Sequence, residues 1–90
     1  MVGMFAISRA GHDKDRVYII IKEEGDFVYL ADGKARGLKN PKKKKKKHLQ
    51  LMKTDIDTTL AEKLKSGHII YEEEIKFAIK ERTSGWQKNE

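Results

Sequence analysis

Two short apolar runs, residues 17–22 and 27–31, constrain this chain more than any other feature. Val17, Tyr18, Ile19, Ile20 and Ile21 are β-branched or aromatic, the types that strands favour. Phe27-Val28-Tyr29-Leu30-Ala31 has the same character, with Phe27, Tyr29 and Ala31 facing one way and Val28 and Leu30 the other. Glu23-Glu24-Gly25-Asp26 joins the runs as a tight hairpin. Both runs are apolar on both faces, so a sheet built on them must be covered on each side.

The flanking sequence supplies more strands and then helices. Residues 4–8 form a short apolar strand with Phe5 and Ile7 on one face, and residues 48–53 alternate Leu49 and Leu51 against His48 and Gln50. Asp32-Gly33 closes the third strand with a turn dipeptide. Four or five short strands in a 90-residue chain predict one small barrel. Beyond it, Asp57 or Thr58 caps a short helix running to Leu64, and Gly67 ends it. A second helix covers residues 71–82, with Glu72, Glu73 and Glu74 in its first turn and Lys80 and Arg82 in its last, as the helix dipole favours. Tyr71, Ile75, Ala78 and Ile79 are expected to cover the open side of the barrel, Phe77 to pair with Ile70, and Trp86 to dock on the barrel.

Charge is concentrated at one address. Lys and Arg number 20 against 14 Asp and Glu, a net +6, and Lys42 to Lys47 are six lysines in a row. Without that run the net charge is zero. Residues 1–53 carry 14 basic and 6 acidic side chains, and residues 54–90 carry 6 and 8. A neutral domain with one dense cationic segment is suited to a polyanion. The segment falls in a long loop, residues 33–47, between the third and fourth strands. Self-repulsion would extend that loop when free, and a polyanion would order it.

Other chemistries find little support. The chain has no cysteine, so no disulfide, thiolate metal site or catalytic thiol is available. His12, His48 and His68 lack metal-ligand spacing, and no metal or cofactor is expected. His12-Asp13-Lys14-Asp15 offers acid–base groups without a cleft or a third orienting group, and reads as a turn. There is no phosphate-cradling loop and no nucleophile motif. Met1-Val2-Gly3-Met4-Phe5 lacks the form of a signal peptide, and no stretch approaches the ~20 apolar residues that span a bilayer. A soluble, cytoplasmic protein with no membrane partner is expected.

One family resemblance sharpens this. Val2-Gly3-Met4-Phe5-Ala6-Ile7-Ser8-Arg9-Ala10-Gly11-His12-Asp13-Lys14-Asp15-Arg16, followed by the apolar residues 17–21, resembles a KOW motif. The ordered continuation is Gly25-Asp26-Phe27-Val28-Tyr29-Leu30-Ala31-Asp32-Gly33, Pro41-Lys42-Lys43-Lys44 and Lys47-His48-Leu49-Gln50. With it, residues 2–53 resemble KOW-domain RNA-binding proteins related to the fourteenth large-subunit ribosomal protein of archaea and eukaryotes. Bacterial members of that group are short, free-standing chains. The family loop commonly has a second glycine where this chain has Asp15.

The resemblance implies a small SH3-like barrel over residues 1–53 with a basic loop at 34–47. With the helices read from the residues themselves, the expected fold is mainly β with C-terminal α, a helical extension over residues 54–83 packed on the barrel and a flexible tail at 84–90. The resemblance further implies a non-catalytic protein that binds structured RNA, ribosomal above all, with the ribosome or its proteins as further partners. The contact residues would be Arg9, Gly11, His12, Lys14 and Arg16 in the first loop. In the second they would be Lys34, Arg36, Lys39, Lys42, Lys43, Lys44, Lys45, Lys46, Lys47 and His48. Six lysines engaged on a single strand would give a log–log salt slope of roughly −4. The rival reading is an SH3-like protein adaptor, in which the lysine run is only a solvated loop and the Glu72 to Glu74 patch attracts basic partners.

Overall fold

The computed structural model describes residues 1–84. Its strands are β1 (Met4–Ser8), β2 (Val17–Glu24), β3 (Phe27–Ala31), β4 (Lys42–Lys45) and β5 (Leu49–Ile56). Helices α1 (Thr58–Ser66) and α2 (Glu72–Thr83) follow. All pairings are antiparallel, in the order β4-β3-β2-β1-β5, so β1 to β4 form a meander and β5 returns to pair with β1. The protein is therefore mainly β with C-terminal helices.

The two apolar faces of the central strands have separate partners. Met4, Ala6, Tyr18, Ile20, Val28, Leu30 and Leu49 form one buried cluster. Every member is a strand residue and no helix residue joins them, so the strands cover this inner face themselves. The outer face carries Phe5, Ile19 and Ala31 against Leu60 of α1 and Ile75 and Ala78 of α2. Full burial of such side chains contributes about 1.5–3 kcal/mol each. The helices thus pack on the outer face, as expected, over Phe5, Ile19 and Ala31.

Local signals explain the helix limits. The Asp57 carboxylate accepts from the Leu60 N–H at 3.0 Å, and Gly67 ends α1 in the left-handed region at φ 74°. Glu74 reaches back to accept from the Tyr71 N–H at 3.0 Å, which satisfies one free donor at the start of α2. Ser84, the C-cap of α2, keeps helical dihedrals. Residues 85–90, with Trp86, lie outside the described residues. Tyr71 is a flanking residue, 64% exposed, and not part of the covering face. Phe77 is 63% exposed and lines a groove with Ile56, while Ile70 packs against the outer-face cluster.

The main correction concerns the lysine run, which is not a loop. Lys42–Lys45 is β4, paired residue for residue with β3: Phe27 with Lys45, Val28 with Lys44, Tyr29 with Lys43 and Leu30 with Lys42. Lys46–His48 forms one 3-10 turn that leads into β5. Pairing satisfies backbone groups along β3 that would otherwise lie at an open edge. Pro41 stands just before the strand, a position proline tolerates. The preceding loop is also ordered. Asp32 accepts from the N–H groups of Lys34 and Arg36, both at 2.9 Å, and Glu72 accepts from the Leu38 N–H at 2.7 Å.

Among the described residues, no helix is long and apolar enough to cross a membrane.

Candidate nucleic-acid interface

The alternation of β4 divides the lysines into two sets. Lys42 and Lys44 share the inner face with Leu30 and Val28, whereas Lys43 and Lys45 share the outer face with Tyr29 and Phe27. Each set finds a partner suited to its face.

The inner set meets Asp13. The Lys44 ammonium donates to Asp13 Oδ1 at 2.7 Å, to Ser8 Oγ at 2.6 Å and to the Ala10 carbonyl at 2.7 Å. Lys42 lies 3.0 Å from Asp13 Oδ2. Ser8 and Tyr18 donate their hydroxyls to the same carboxylate, at 2.8 and 3.1 Å. Asp13 is only 6% exposed, and the Lys44 side chain 9%. Burial alone would raise the Asp13 carboxyl, but the bonds from Lys44, Lys42, Ser8 and Tyr18 outweigh it and hold the group well below the usual carboxylate range. Burial and the neighbouring Asp13 charge push Tyr18 up to about 12. Asp13 is thus not the solvated turn residue its sequence context indicates. Lys44 is also not a free contact for a ligand, and Lys42 is largely engaged.

This cluster welds the first loop to the lysine strand. Gly11, at φ 88°, lets the loop turn back so that Lys44 reaches the Ala10 carbonyl. Arg9 donates its N–H to the His48 carbonyl at 2.9 Å. Arg9, Gly11, His12, Lys14 and Arg16 are all exposed, and so are Lys45, Lys47 and His48. The two segments singled out in the sequence are therefore in contact. Asp15 is the only described non-glycine residue with positive φ, 72°, and its carboxylate faces Arg9 at 3.8 Å.

The outer set lies over aromatic rings. The Lys43 ammonium is 4.7 Å from the Phe27 ring centre and 5.8 Å from that of Tyr29. Lys45 is 5.9 Å from Phe27, and Lys22 is 5.3 Å from Tyr29. Such contacts are worth about 0.5–1 kcal/mol when exposed. A carboxylate tempers this face: Glu24 lies 3.6 Å from Lys43 and accepts from the Tyr29 hydroxyl at 3.0 Å. Glu23, opposite Val28, pairs with Lys46. Lysine bonding and charge lower the pKa of Glu23. That of Glu24 is lowered by the Tyr29 hydroxyl first and by Lys43 and Lys22 next.

Neither a scan against protein-family models nor a search of curated proteins finds a match to this chain.

The second loop contributes differently from the expectation. Lys34 shares a groove with Arg16, Lys76 and Lys80, where Asp15 and Asp32 also stand. Lys76 and Lys80 escaped sequence reasoning; their four-residue spacing marks one helix face, but only the fold brings that face beside Arg16. Arg36 and Lys39 flank the segment docked on α2. Among the described residues, Lys14, Arg16, Lys34, Arg36, Lys39, Lys45 and Lys47 make no ion pair. The acidic patch is mostly spent inside the fold: Glu72 holds Leu38, and Glu74 holds Tyr71 and Lys63.

Proposed function

We propose that this protein is a non-catalytic, cytoplasmic RNA-binding protein of KOW type, which holds structured, ribosomal RNA against the basic surface joining the first loop to β4. The observation that carries the reading is the contact of Lys44 with Ala10 and Asp13. It ties the first loop, with exposed Lys14 and Arg16, to the strand that leads on to exposed Lys45, Lys47 and His48, and so supports a shared basic surface. Phosphate contacts from such a surface give affinity and orientation without base sequence. Asp15 supports the family reading, because it takes a left-handed conformation where the resembled loops commonly have glycine.

The geometry revises the electrostatics. Two lysines of the run, Lys45 and Lys47, make no ion pair among the described residues, so their share of the salt slope on a single strand is roughly −1.4, and Lys43 and Lys46 add to it only where phosphate displaces Glu24 and Glu23. The adaptor alternative has less support, since β4 is not a solvated loop and Glu72 and Glu74 are engaged within the fold.

Filter binding of ribosomal RNA fragments across a salt series tests the proposal. Salt-dependent binding that weakens in Lys45→Ser/Lys47→Ser is expected. No binding at low salt would sink it, as would a variant that retains full affinity. These two lysines are the suitable ones to change, because replacing the whole run would also remove Lys44 from the core.

A further inference from the structure

The outer face of the sheet is only partly covered by the helices. Ala31 packs beneath α1 and α2, while Phe27 and Tyr29, on the same face of β3, stay half-buried and meet lysine ammoniums instead of apolar neighbours. We propose that Phe27 and Tyr29, with Lys43 and Lys45 opposite them on β4, form a stacking platform for two consecutive unpaired nucleotides. The inference rests on the RNA-binding reading and names the form of RNA that this face accepts.

The register builds the platform. Tyr29 pairs with Lys43 and Phe27 with Lys45, so each ring has a lysine directly beside it. A bulge in β2 just after Ile20 switches the face of the following residues, which brings Lys22 opposite Tyr29. Two positions along a strand separate the rings by about 6.7 Å. This is about twice the ~3.4 Å advance per nucleotide in one strand of a duplex. Bases must therefore leave their own stack to reach both rings, which selects an extended single strand.

The lysines supply the phosphate side. A cleft beside the Phe27 ring is lined by Asp26, Lys45, Lys46 and Lys47. Lys43 lies over both rings and within reach of Glu24. An incoming base takes the ring face, and its phosphate takes the ammonium from Glu24. Glu24 meanwhile keeps its bond to the Tyr29 hydroxyl and fixes that ring. Among the described residues, the strand positions beside the two rings carry Lys22, Glu24, Lys43 and Lys45 and no carboxamide, so recognition is tolerant of sequence, as stacking platforms are.

Binding of the full chain to oligouridine and to an RNA duplex of equal length tests this. Phe27→Leu and Tyr29→Leu should each weaken oligouridine binding by about five- to a hundredfold, with duplex affinity and salt slope unchanged. In the unaltered protein, the ring proton signals of Phe27 and Tyr29 should move upfield on saturation with oligouridine, a readout that needs no variant to fold. Rings that do not move while both RNAs still bind would overturn the platform and leave the RNA-binding reading standing. Equal losses on duplex and single strand would also overturn it. Absence of binding to either RNA would overturn both.

Discussion

Lys44 reaches Asp13 across 2.7 Å from a strand in which every residue is lysine. A homopolymeric strand carries no side-chain pattern to choose its register. Slipping β4 by one residue would set Lys43 or Lys45 against Asp13 in place of Lys44, so Asp13 demands a buried ammonium at that position without choosing which lysine supplies it. The Asp13, Ser8 and Ala10 oxygens accept one ammonium there, and we read them as the pin that holds β4 to the first loop.

Asp13→Ala should therefore cost far more than a change to an exposed lysine. It leaves the Lys44 ammonium buried beside uncharged oxygens, and breaking a buried pair in this way costs about 3–5 kcal/mol. Lys45→Met removes only a solvated charge and should cost less than about 1 kcal/mol. Urea unfolding midpoints compare the two, and similar small losses would refute the pin.

The same cluster sets the pH response. The Asp13 carboxyl is held below its ordinary value in the fold, so its contribution is present above the unfolded pKa near 3.8 and is lost as pH falls through the lower folded value. Tyr18 has the opposite sense. Its folded pKa near 12 exceeds the ordinary 10.0, so that stabilisation is full below pH 10 and disappears between 10 and 12. Thermal melts should thus weaken below pH 4, and Asp13→Asn should flatten that limb. Tyr18→Phe should flatten the alkaline limb and leave the acid one in place.

How far the fold is legible in the sequence depends on whether a signal is local. The bounds of β1 and β3, the Asp57 cap and the Gly67 stop follow from side chains acting within a few residues. The covering of both sheet faces follows from composition alone. The strand character of Lys42–Lys45 does not, because lysine has weak β propensity and the run has no alternation. That strand exists because β3 offers an edge and Asp13 needs a cation, and Asp13 lies some thirty positions away in the chain. The contact loops are legible as basic segments, whereas the neutralising of Lys42 and Lys44 and the pairing of Lys43 with the aromatic rings are tertiary facts.

Asp15 holds a conformation that costs most L-residues about 1–2 kcal/mol and Asp somewhat less. Asp15→Gly should relieve that strain and also release Arg9 from an exposed pair. We expect a stability gain of up to about 1 kcal/mol and tighter RNA binding. Asp15→Val should lose about 1–3 kcal/mol, since a β-branched residue resists positive φ. Chemical denaturation of the three proteins gives the ranking.

Gly33 sets how closely α2 approaches the sheet. It has φ 77°, and a Cβ there would stand 2.6 Å from the Glu72 carbonyl and 2.9 Å from the Lys76 nitrogen. These are backbone atoms of α2 and cannot swing away as a side chain would. Gly33→Ala should destabilise by about 2 kcal/mol or more through strain and clash together. It should also disturb the groove shared by Lys34, Lys76 and Lys80. Gly25→Ala has positive φ at 59° but open space around it, so it isolates the strain and should cost less. Thermal denaturation of the two variants separates the contributions, and equal losses would show that the approach of α2 is not the limiting contact.

Glu24 competes with a ligand phosphate for Lys43. Glu24→Gln removes the charge but keeps a polar group beside the Tyr29 hydroxyl, so the ring should hold its place. Freeing Lys43 should tighten RNA binding severalfold at low salt and steepen the log–log salt slope by about 0.7 on a single strand. Glu73→Gln makes the same change in net charge from the exposed side of α2, where Glu73 makes no ion pair among the described residues. Steepening confined to Glu24→Gln identifies Lys43 as the group released. An equal gain in both variants would mean that net charge, and not the geometry over Phe27 and Tyr29, governs affinity.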